Sequence, residues 1–332
     1  MRIGSFSVSS RLIAAPMAGV TDRPFRTLCR KLGASFAVSE MVSSNPRLRS
    51  TQKSRQRVDH AEEDEPRWVQ IAGADPQEMA EAVRHNADAG AQIIDINMGC
   101  PAKKVCNRAA GSALLSDESL IARIFDAVLA ASPVPVTVKI RTGPSPASRN
   151  GVRVAEMAER AGIAAISVHG RSRACAFGGR AEHDTARQIK SAVKIPVIAN
   201  GDVDCPGSAR RVLQQSGADA LMIGRASQGN PWIFREVSHY LASGEALSGP
   251  DAEEVRRVLM EHLEALYEFY GTFRGVRVAR KHLGWYLKPR PGGIALWSRI
   301  NRVEDTATQL RMVREFFEAD MLQAAPATEL AA

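Results

Sequence analysis

The sequence predicts an α/β fold, a (β/α)8 TIM barrel followed by a small all-helical domain, and three observations carry that reading. Eight short apolar runs alternate with amphipathic segments from residue 12 to about 235. Polar residues follow nearly every run rather than collecting at one point, and no G-x-G-x-x-G follows the first, which disfavours a doubly wound open sheet. Beyond residue 250 the strand signals stop and apolar residues recur at helical spacing.

The expected strands are residues 12–17, 36–41, 68–73, 93–98, 136–141, 165–170, 196–201 and 220–224. Helix punctuation lies between several of them. Asp75 followed by Pro76 reads as an N-cap with a first-turn proline, closed by Gly90. Ser116 or Asp117 opens the next helix, and Gly162 and Gly217 sit where helices hand over to strands. Residues 251–320 carry Val255, Val258, Leu259, His262, Leu263, Leu266 and Phe269 on one helical face. The expected organisation is a barrel over 1–242, a helical domain over 243–322 and a fraying tail over 323–332.

Composition bounds the class. With 332 residues, 45% hydrophobic and 24% charged, the chain reads as an ordinary soluble globular protein able to bury a full core. No apolar run approaches a membrane span and no secretory signal is evident, so a cytoplasmic, non-membrane protein is expected. Five scattered cysteines without a C-x-x-C pair argue for reduced thiols and against a zinc or iron–sulfur centre. The net charge of +8 points to a polyanionic partner or to basicity alone. From Arg274 to Arg302 there are eight Lys or Arg, including Arg280, Lys281, Lys288 and Arg290, and no acid. Trp285, Tyr286 and Trp297 are interleaved with them, which suits RNA, while a helical core explains the aromatics equally well.

Five strands hold polar side chains that a buried strand should lack: Gln70, Asp95 and Asn97, Lys139 and Arg141, His169, and Asn200. Side chains alternate along a strand, so Asn97 shares a face with Asp95, and Lys139 with Thr137 and Arg141. One face is apolar and the other polar. A buried polar group without a partner costs roughly 2–7 kcal/mol, so a polar ligand is expected where these strand ends converge. Barrels bind phosphate at the loops after strands 7 and 8, here Asn200-Gly201-Asp202 and Gly224-Arg225. Gln70, Lys139 and His169 match the carbonyl and nitrogen edge of a flavin ring. Pro16-Met17-Ala18 makes a turn against which a flat ring can lie. A Schiff-base lysine and a core histidine remain alternatives for Lys139 and His169. Cys100 follows strand 4 on a glycine–proline loop, and as a thiol it can donate a proton. Lys103 and Lys104 nearby could lower its pKa or grip a substrate phosphate; Cys106 has no comparable setting.

Taken together, APMAGVTDRPFR (15–26), VSEMV (38–42), QIAG (70–73), DINMGCPAKKV (95–105), KIRTG (139–143), SVHGR (167–171), IANGD (198–202) and MIGRASQGNPWIF (222–234) resemble the bacterial tRNA-dihydrouridine synthases, most of all the B-type subfamily. The resemblance covers residues 10–320. It implies FMN as cofactor, NADPH as reductant and tRNA as substrate, with the carbon 5–carbon 6 double bond of a uridine reduced. By motif, Pro16, Met17 and Ala18 would line the flavin, and Gln70, Lys139 and His169 would touch its ring. Asn200, Gly201, Asp202, Gly224 and Arg225 would hold its phosphate. Cys100 would be the general acid and Asn97 would orient the uracil, with Lys103, Arg171, Arg280, Lys281, Lys288 and Arg290 toward tRNA. No obligate protein partner is implied, and a monomer is expected. A free-pyrimidine reductase and a non-catalytic RNA-binding barrel are the competing readings.

The basic stretch has a direct test. Charge reversal at Lys281 and Lys288 should weaken tRNA binding and reduce its salt dependence, while NADPH oxidation without tRNA is spared. Unchanged affinity would mean that this surface faces something else.

Overall fold

The computed structural model describes residues 1–7, 10–107 and 109–324. Its strands are β1 (Arg2–Ile3), β2 (Phe6–Ser7), β3 (Leu12–Ala14), β4 (Phe36–Ala37), β5 (Val42–Ser43), β6 (Trp68–Ala72), β7 (Ile93–Met98), β8 (Val136–Arg141), β9 (Ala165–His169), β10 (Val197–Asn200) and β11 (Ala220–Ile223). β1 and β2 form a small antiparallel hairpin. The other nine make one parallel sheet in the order β4-β3-β11-β10-β9-β8-β7-β6-β5. Its two edges, β4 and β5, belong to one stretch of chain. Between them Val38 bridges Trp68, and the Ser39 N–H donates to the Trp68 carbonyl at 2.9 Å. β4 and β5 are therefore one interrupted stave, and the sheet closes into the eight-stave barrel that the sequence predicts.

The interruption has a polar cause. A continuous strand was expected over 36–41, but Ser39 and Glu40 make bonds a strand would forbid. The Ser39 hydroxyl accepts from the Gln70 N–H (3.2 Å), and the buried Glu40 carboxylate accepts from the Gly19 N–H (2.6 Å) and pairs with Arg57 (3.2 Å). The expected ends at 17, 73 and 201 also overshoot, since the strands give way to turns at Ala14, Ala72 and Asn200.

Strand parity sorts the interior more finely than one apolar and one polar face. Ile13, Ala15, Phe36, Val38, Trp68, Ile93, Ala165, Ile198, Ala220 and Met222 pack together inside the barrel. Ile3 of the unpredicted hairpin joins this cluster and closes its N-terminal end. On the same strand faces, one and two steps on, stand Gln70, Asp95, Asn97, Thr137, Lys139, Arg141, Ser167, His169 and Asn200. The inward face is thus apolar at the base and polar at the mouth. The alternate residues Ile71, Ile94, Ile96, Val138, Ile140, Ile166, Val168 and Leu221 are fully buried under the outer helices. Each such side chain contributes roughly 1.5–3 kcal/mol.

The helices start and stop where their caps require. Asp75 accepts from the Gln77 and Glu78 N–H groups to open Pro76–Asp88, and Asp117 accepts from Leu120 to open Glu118–Ala131. Gly162 and Gly217 end their helices in the left-handed region, where a Cβ is disfavoured.

Two compact units are present. One comprises Met1–Ser227 with Ile233–Glu245; the other comprises Gln228–Trp232 and the chain from Ala246 onward. The second is built from Ala252–Tyr270, Thr272–Leu287, Gly293–Ile300 and Thr306–Ala324. Five residues from the loop after β11 belong to it. Trp232 donates its indole N–H to Glu254 (2.9 Å) and meets the Tyr286 ring edge-on at 6.0 Å. The last helix continues to Ala324, past the expected start of the tail; residues 325–332 lie outside the described residues. The acid-free stretch is partly answered from outside itself: Arg277 pairs with Glu304 (3.1 Å) and Arg290 with Asp320 (3.5 Å).

His262 and His282 are buried between the first two helices of this unit, ring centroids 4.6 Å apart. Burial and the nearby Lys281 charge push His262 down to about 3, and burial beside His262 and the Lys281 charge pushes His282 well below the usual range. Both are neutral in the fold and take up protons on unfolding. Their contribution is complete above about pH 6.5 and is lost as pH falls below it, by up to ~1.4 kcal/mol per pH unit for each. Amide exchange in Ala252–Tyr270 and Thr272–Leu287, corrected for intrinsic rates, should therefore accelerate from pH 6.5 to 5. Equal protection at both values would contradict this.

Candidate active site

The polar mouth is a connected set of hydrogen bonds. Asp95 on β7 is buried and accepts from the Thr137 hydroxyl at 2.6 Å and the Gln70 amide at 2.7 Å. Burial, opposed by those two bonds and by Lys139, raises its carboxyl to about 6. Gln70 in turn accepts from the Asn97 amide at 2.7 Å. The Asn97 carbonyl accepts the Gly99 and Cys100 N–H groups at 3.2 and 3.0 Å. The Cys100 carbonyl takes the Ser112 N–H and hydroxyl, both at 3.0 Å, and Arg141 grips the Gly99 carbonyl at 2.7 Å. The loop bearing Cys100 is therefore held at three consecutive peptide groups. Burial raises the Cys100 thiol above its ordinary range, outweighing the Ala102 N–H and the Arg141 and Lys139 charges. The thiol keeps its proton at neutral pH.

Lys139 donates to the Asn200 side-chain carbonyl at 2.9 Å, and Asn200 donates to the Met222 carbonyl at 2.7 Å. Burial, only partly offset by Asp95, lowers Lys139 to about 8. Burial together with Lys139, Arg141, Arg171 and Arg225 lowers His169 to about 2, so its ring is neutral. Beside them Arg171 binds both Asp202 oxygens at 2.9 Å and the Gly178 and Gly179 carbonyls at 3.1 and 2.6 Å. Asp202 also accepts the Ala181 N–H at 2.7 Å, and the Arg171 and Arg225 charges hold it below its usual range against its burial. Arg225, 58% exposed, lies 3.4 Å from Asp202. Phe177 stands in the open with the Arg141 and Arg225 guanidinium groups each 5.5 Å from its ring centre.

The residues fit a phosphate-tailed flat ring. The Ser167 hydroxyl, buried on the strand position paired with Lys139, has no hydrogen-bond partner among the described residues. A half-buried ammonium and an orphaned hydroxyl side by side suit a ring carbonyl. Gly201 and Gly224 leave room at the strand ends. A Cβ on Gly201 would lie 2.7 Å from Ala181 Cβ, and one on Gly224 would lie against Ala15 and Met17 at 3.5 and 3.6 Å. Pro16, Met17 and Ala18 form the turn after β3, tied by the Met17 carbonyl to the Val20 and Thr21 N–H groups at 3.0 Å.

The expected barrel residues Gln70, Asn97, Cys100, Lys139, His169, Asn200, Gly201, Asp202, Gly224 and Arg225 all stand at the C-terminal ends of the staves or in the loops that follow. Lys103 is exposed at the start of a short helix, Lys103–Cys106, that follows β7. Arg171, expected to face nucleic acid, is only 4% exposed and its guanidinium is engaged inside the loop it organises. In the helical unit Lys288 is exposed and lies 3.6 Å over the Trp297 ring. Arg280 donates to the Val303 carbonyl (3.1 Å), Arg290 is half-buried against Asp320 and Phe317, and Lys281 is half-buried. Sequence reasoning missed Ser167 and Phe177 and gave Arg141 and Asp95 no site role. Parity placed Arg141, Asp95 and Ser167 on the polar face; nothing local marks Phe177, whose place depends on how residues 171–182 fold.

A closed parallel barrel with a cationic mouth and a protonated thiol on its rim has the architecture of a barrel oxidoreductase. The chain belongs to the dihydrouridine synthase family: the model described as "Dihydrouridine synthase (Dus)" matches residues 12–324. It is 60% identical over 317 residues to the tRNA-dihydrouridine synthase B of Pseudomonas aeruginosa, covering 96% of each chain. It is 56% identical over 332 residues to that of Xanthomonas axonopodis pv. citri, covering 100% of both. Among solved structures, histamine dehydrogenase from Rhizobium sp. 4-9 matches 80% of this chain and 50% of its own, at TM-score 0.54 and 12% identity. That likeness is one of fold.

The two arginines of the phosphate corner should behave differently. Arg171→Met strips Asp202 of its main partner and should cost about 1–3 kcal/mol. Arg225→Met, at an exposed pair, should cost under about 1 kcal/mol. Urea unfolding of the ligand-free protein measures both; equal losses would contradict this division.

Proposed function

We propose that the protein is an FMN-dependent tRNA-dihydrouridine synthase that uses NADPH as reductant. The observation that carries the reading is Cys100: a protonated thiol, held at three peptide groups, on the rim of a mouth that also presents Asn97, Lys139 and His169. FMN, when bound, supplies a hydride to carbon 6 of the uracil ring. Lys139 would face the carbonyl edge of the flavin and favour negative charge there, while neutral His169 and Gln70 would offer hydrogen bonds without adding charge. The backbone at Gly201 and Gly224 and the guanidinium of Arg225 would receive the phosphate. Asn200 holds Lys139 in place, and Arg171 with Asp202 builds the loop around the phosphate.

Uridine reaches this mouth only out of its stack, an expectation for chemistry on a base face. The amide of Asn97 orients the uracil, and Cys100 donates its proton to carbon 5. Pro16, Met17 and Ala18 line the flavin side of the mouth. Lys103 and, in the helical unit, Arg280, Lys281, Lys288 and Arg290 supply positive charge toward tRNA; of these Lys103 and Lys288 are the freest in the fold. Among the described residues no helix is long and apolar enough to cross a membrane. A cytoplasmic monomer acting on a D-loop uridine is the simplest form of the proposal.

Cys100→Ala should keep bound flavin and tRNA affinity but lower dihydrouridine formation by about 10²–10⁴-fold, the usual contribution of a positioned general acid. Nucleoside mass spectrometry of reacted tRNA checks this. Wild-type turnover by the variant would remove Cys100 from the mechanism.

A further inference from the structure

Hydrogen-bond direction along the mouth is constrained from both ends. An indole N–H can only donate, and that of Trp68 lies 3.1 Å from the Thr137 oxygen. The same oxygen lies 2.6 Å from an Asp95 oxygen, and since a carboxylate there can only accept, the Thr137 hydroxyl donates to it. At the other end the Gly99 and Cys100 N–H groups are also donor-only, so Asn97 must turn its carbonyl to them. Its NH₂ then faces Gln70, whose carbonyl must accept it, leaving the Gln70 NH₂ to face Asp95 at 2.7 Å. Donation runs from both ends and meets at one carboxylate. A donor at that point would force Gln70 to flip, then Asn97, and would set the Asn97 NH₂ against the two backbone N–H groups.

We infer that Asp95 is a positioning residue for the proton donor: as the common acceptor of Thr137 and Gln70, it anchors the Gln70 amide, which holds the Asn97 amide, which in turn receives the peptide groups that carry Cys100. Buried beneath the rim, it acts through the relay. The inference deepens the proposed function, since it rests on Cys100 being the proton donor, but its physical content is the placement of Cys100. That placement can be read without turnover.

Asparagine at position 95 separates direction from charge. Its carbonyl can still accept from Gln70, while its NH₂ faces Thr137, whose hydroxyl proton can turn to the Ile94 carbonyl, 3.5 Å from the Thr137 oxygen. Asp95→Asn thus keeps the relay and removes the charge, whereas Asp95→Ala removes the acceptor. The test is the rate of alkylation of Cys100 by iodoacetamide in the flavin-loaded protein, followed by peptide mass spectrometry. Single-turnover dihydrouridine formation and the KM for tRNA are measured beside it. Asp95→Ala should change the alkylation rate by about fivefold or more and lower the single-turnover rate by at least as much with KM for tRNA unchanged, the scale of a lost buried hydrogen bond. Asp95→Asn should stay within about twofold of wild type in alkylation. Should Asp95→Ala not fold, Gln70→Met cuts the same relay with Asp95 in place and should shift alkylation alike. Wild-type alkylation in Asp95→Ala or Gln70→Met overturns the inference, as does Asp95→Asn matching the alanine variant. If Cys100→Ala keeps full turnover while these alkylation shifts appear, the proton-donor role fails and the positioning survives.

Discussion

A carboxylate can accept hydrogen bonds but not donate them, and burying Asp95 inside a closed barrel makes that asymmetry decisive. The hydrogen bonds between the Trp68 indole and the Cys100 backbone converge on that carboxylate, with the Gly99 and Cys100 N–H groups fixing the far end. Without such a sink the Gln70 NH₂ would lose its buried acceptor, and the hold of Gln70 on the Asn97 amide would loosen. The closed sheet supplies the rest of the constraint. Gln70 is paired in register with Asp95, Asp95 with Thr137, and Asn97 with Lys139, so the groups are brought within bonding distance by strand pairing alone.

Charge at the mouth is unbalanced on the same scale. Lys139, Arg141, Arg171 and Arg225 crowd around His169, whereas the carboxylates at hand are Asp95, buried in the relay, and Asp202, already shared between two arginines. Such a mouth attracts an anion and disfavours protonation of its own imidazole. Burial and the Arg141 charge lower Lys139, Asp95 partly offsets them, and the Asn200 carbonyl holds its ammonium in place.

Much of this was legible in the sequence because strand parity is a strict rule. Polar residues at alternate positions of IIDINM and VTVKIR had to share one side, and closure of the sheet made that side the interior. Less was legible where the chain departs from regular structure. Residues 36–41 read as one strand, yet Ser39 and Glu40 break it for hydrogen bonds to Gln70 and Gly19 that lie far off in sequence. The hairpin at Arg2–Ser7 is too short to show a period, and only the open base of the barrel accounts for it. The basic stretch of the helical unit reads as uniformly positive, since its partners Glu304 and Asp320 lie beyond it, one just before the last helix and one within it. Arg171 looked like a ligand residue because its loop was invisible; its side chain builds that loop instead.

The account makes the mouth of the barrel a seat for a flavin beneath an extruded uridine. The most direct measurement is anaerobic mixing of the fully reduced, flavin-loaded protein with unmodified tRNA while the flavin absorbance is followed. Reoxidation of the flavin in step with an equal amount of dihydrouridine in the tRNA is the result the account predicts. A reduced flavin that persists in the presence of tRNA, or a protein that retains no flavin at all, would contradict it.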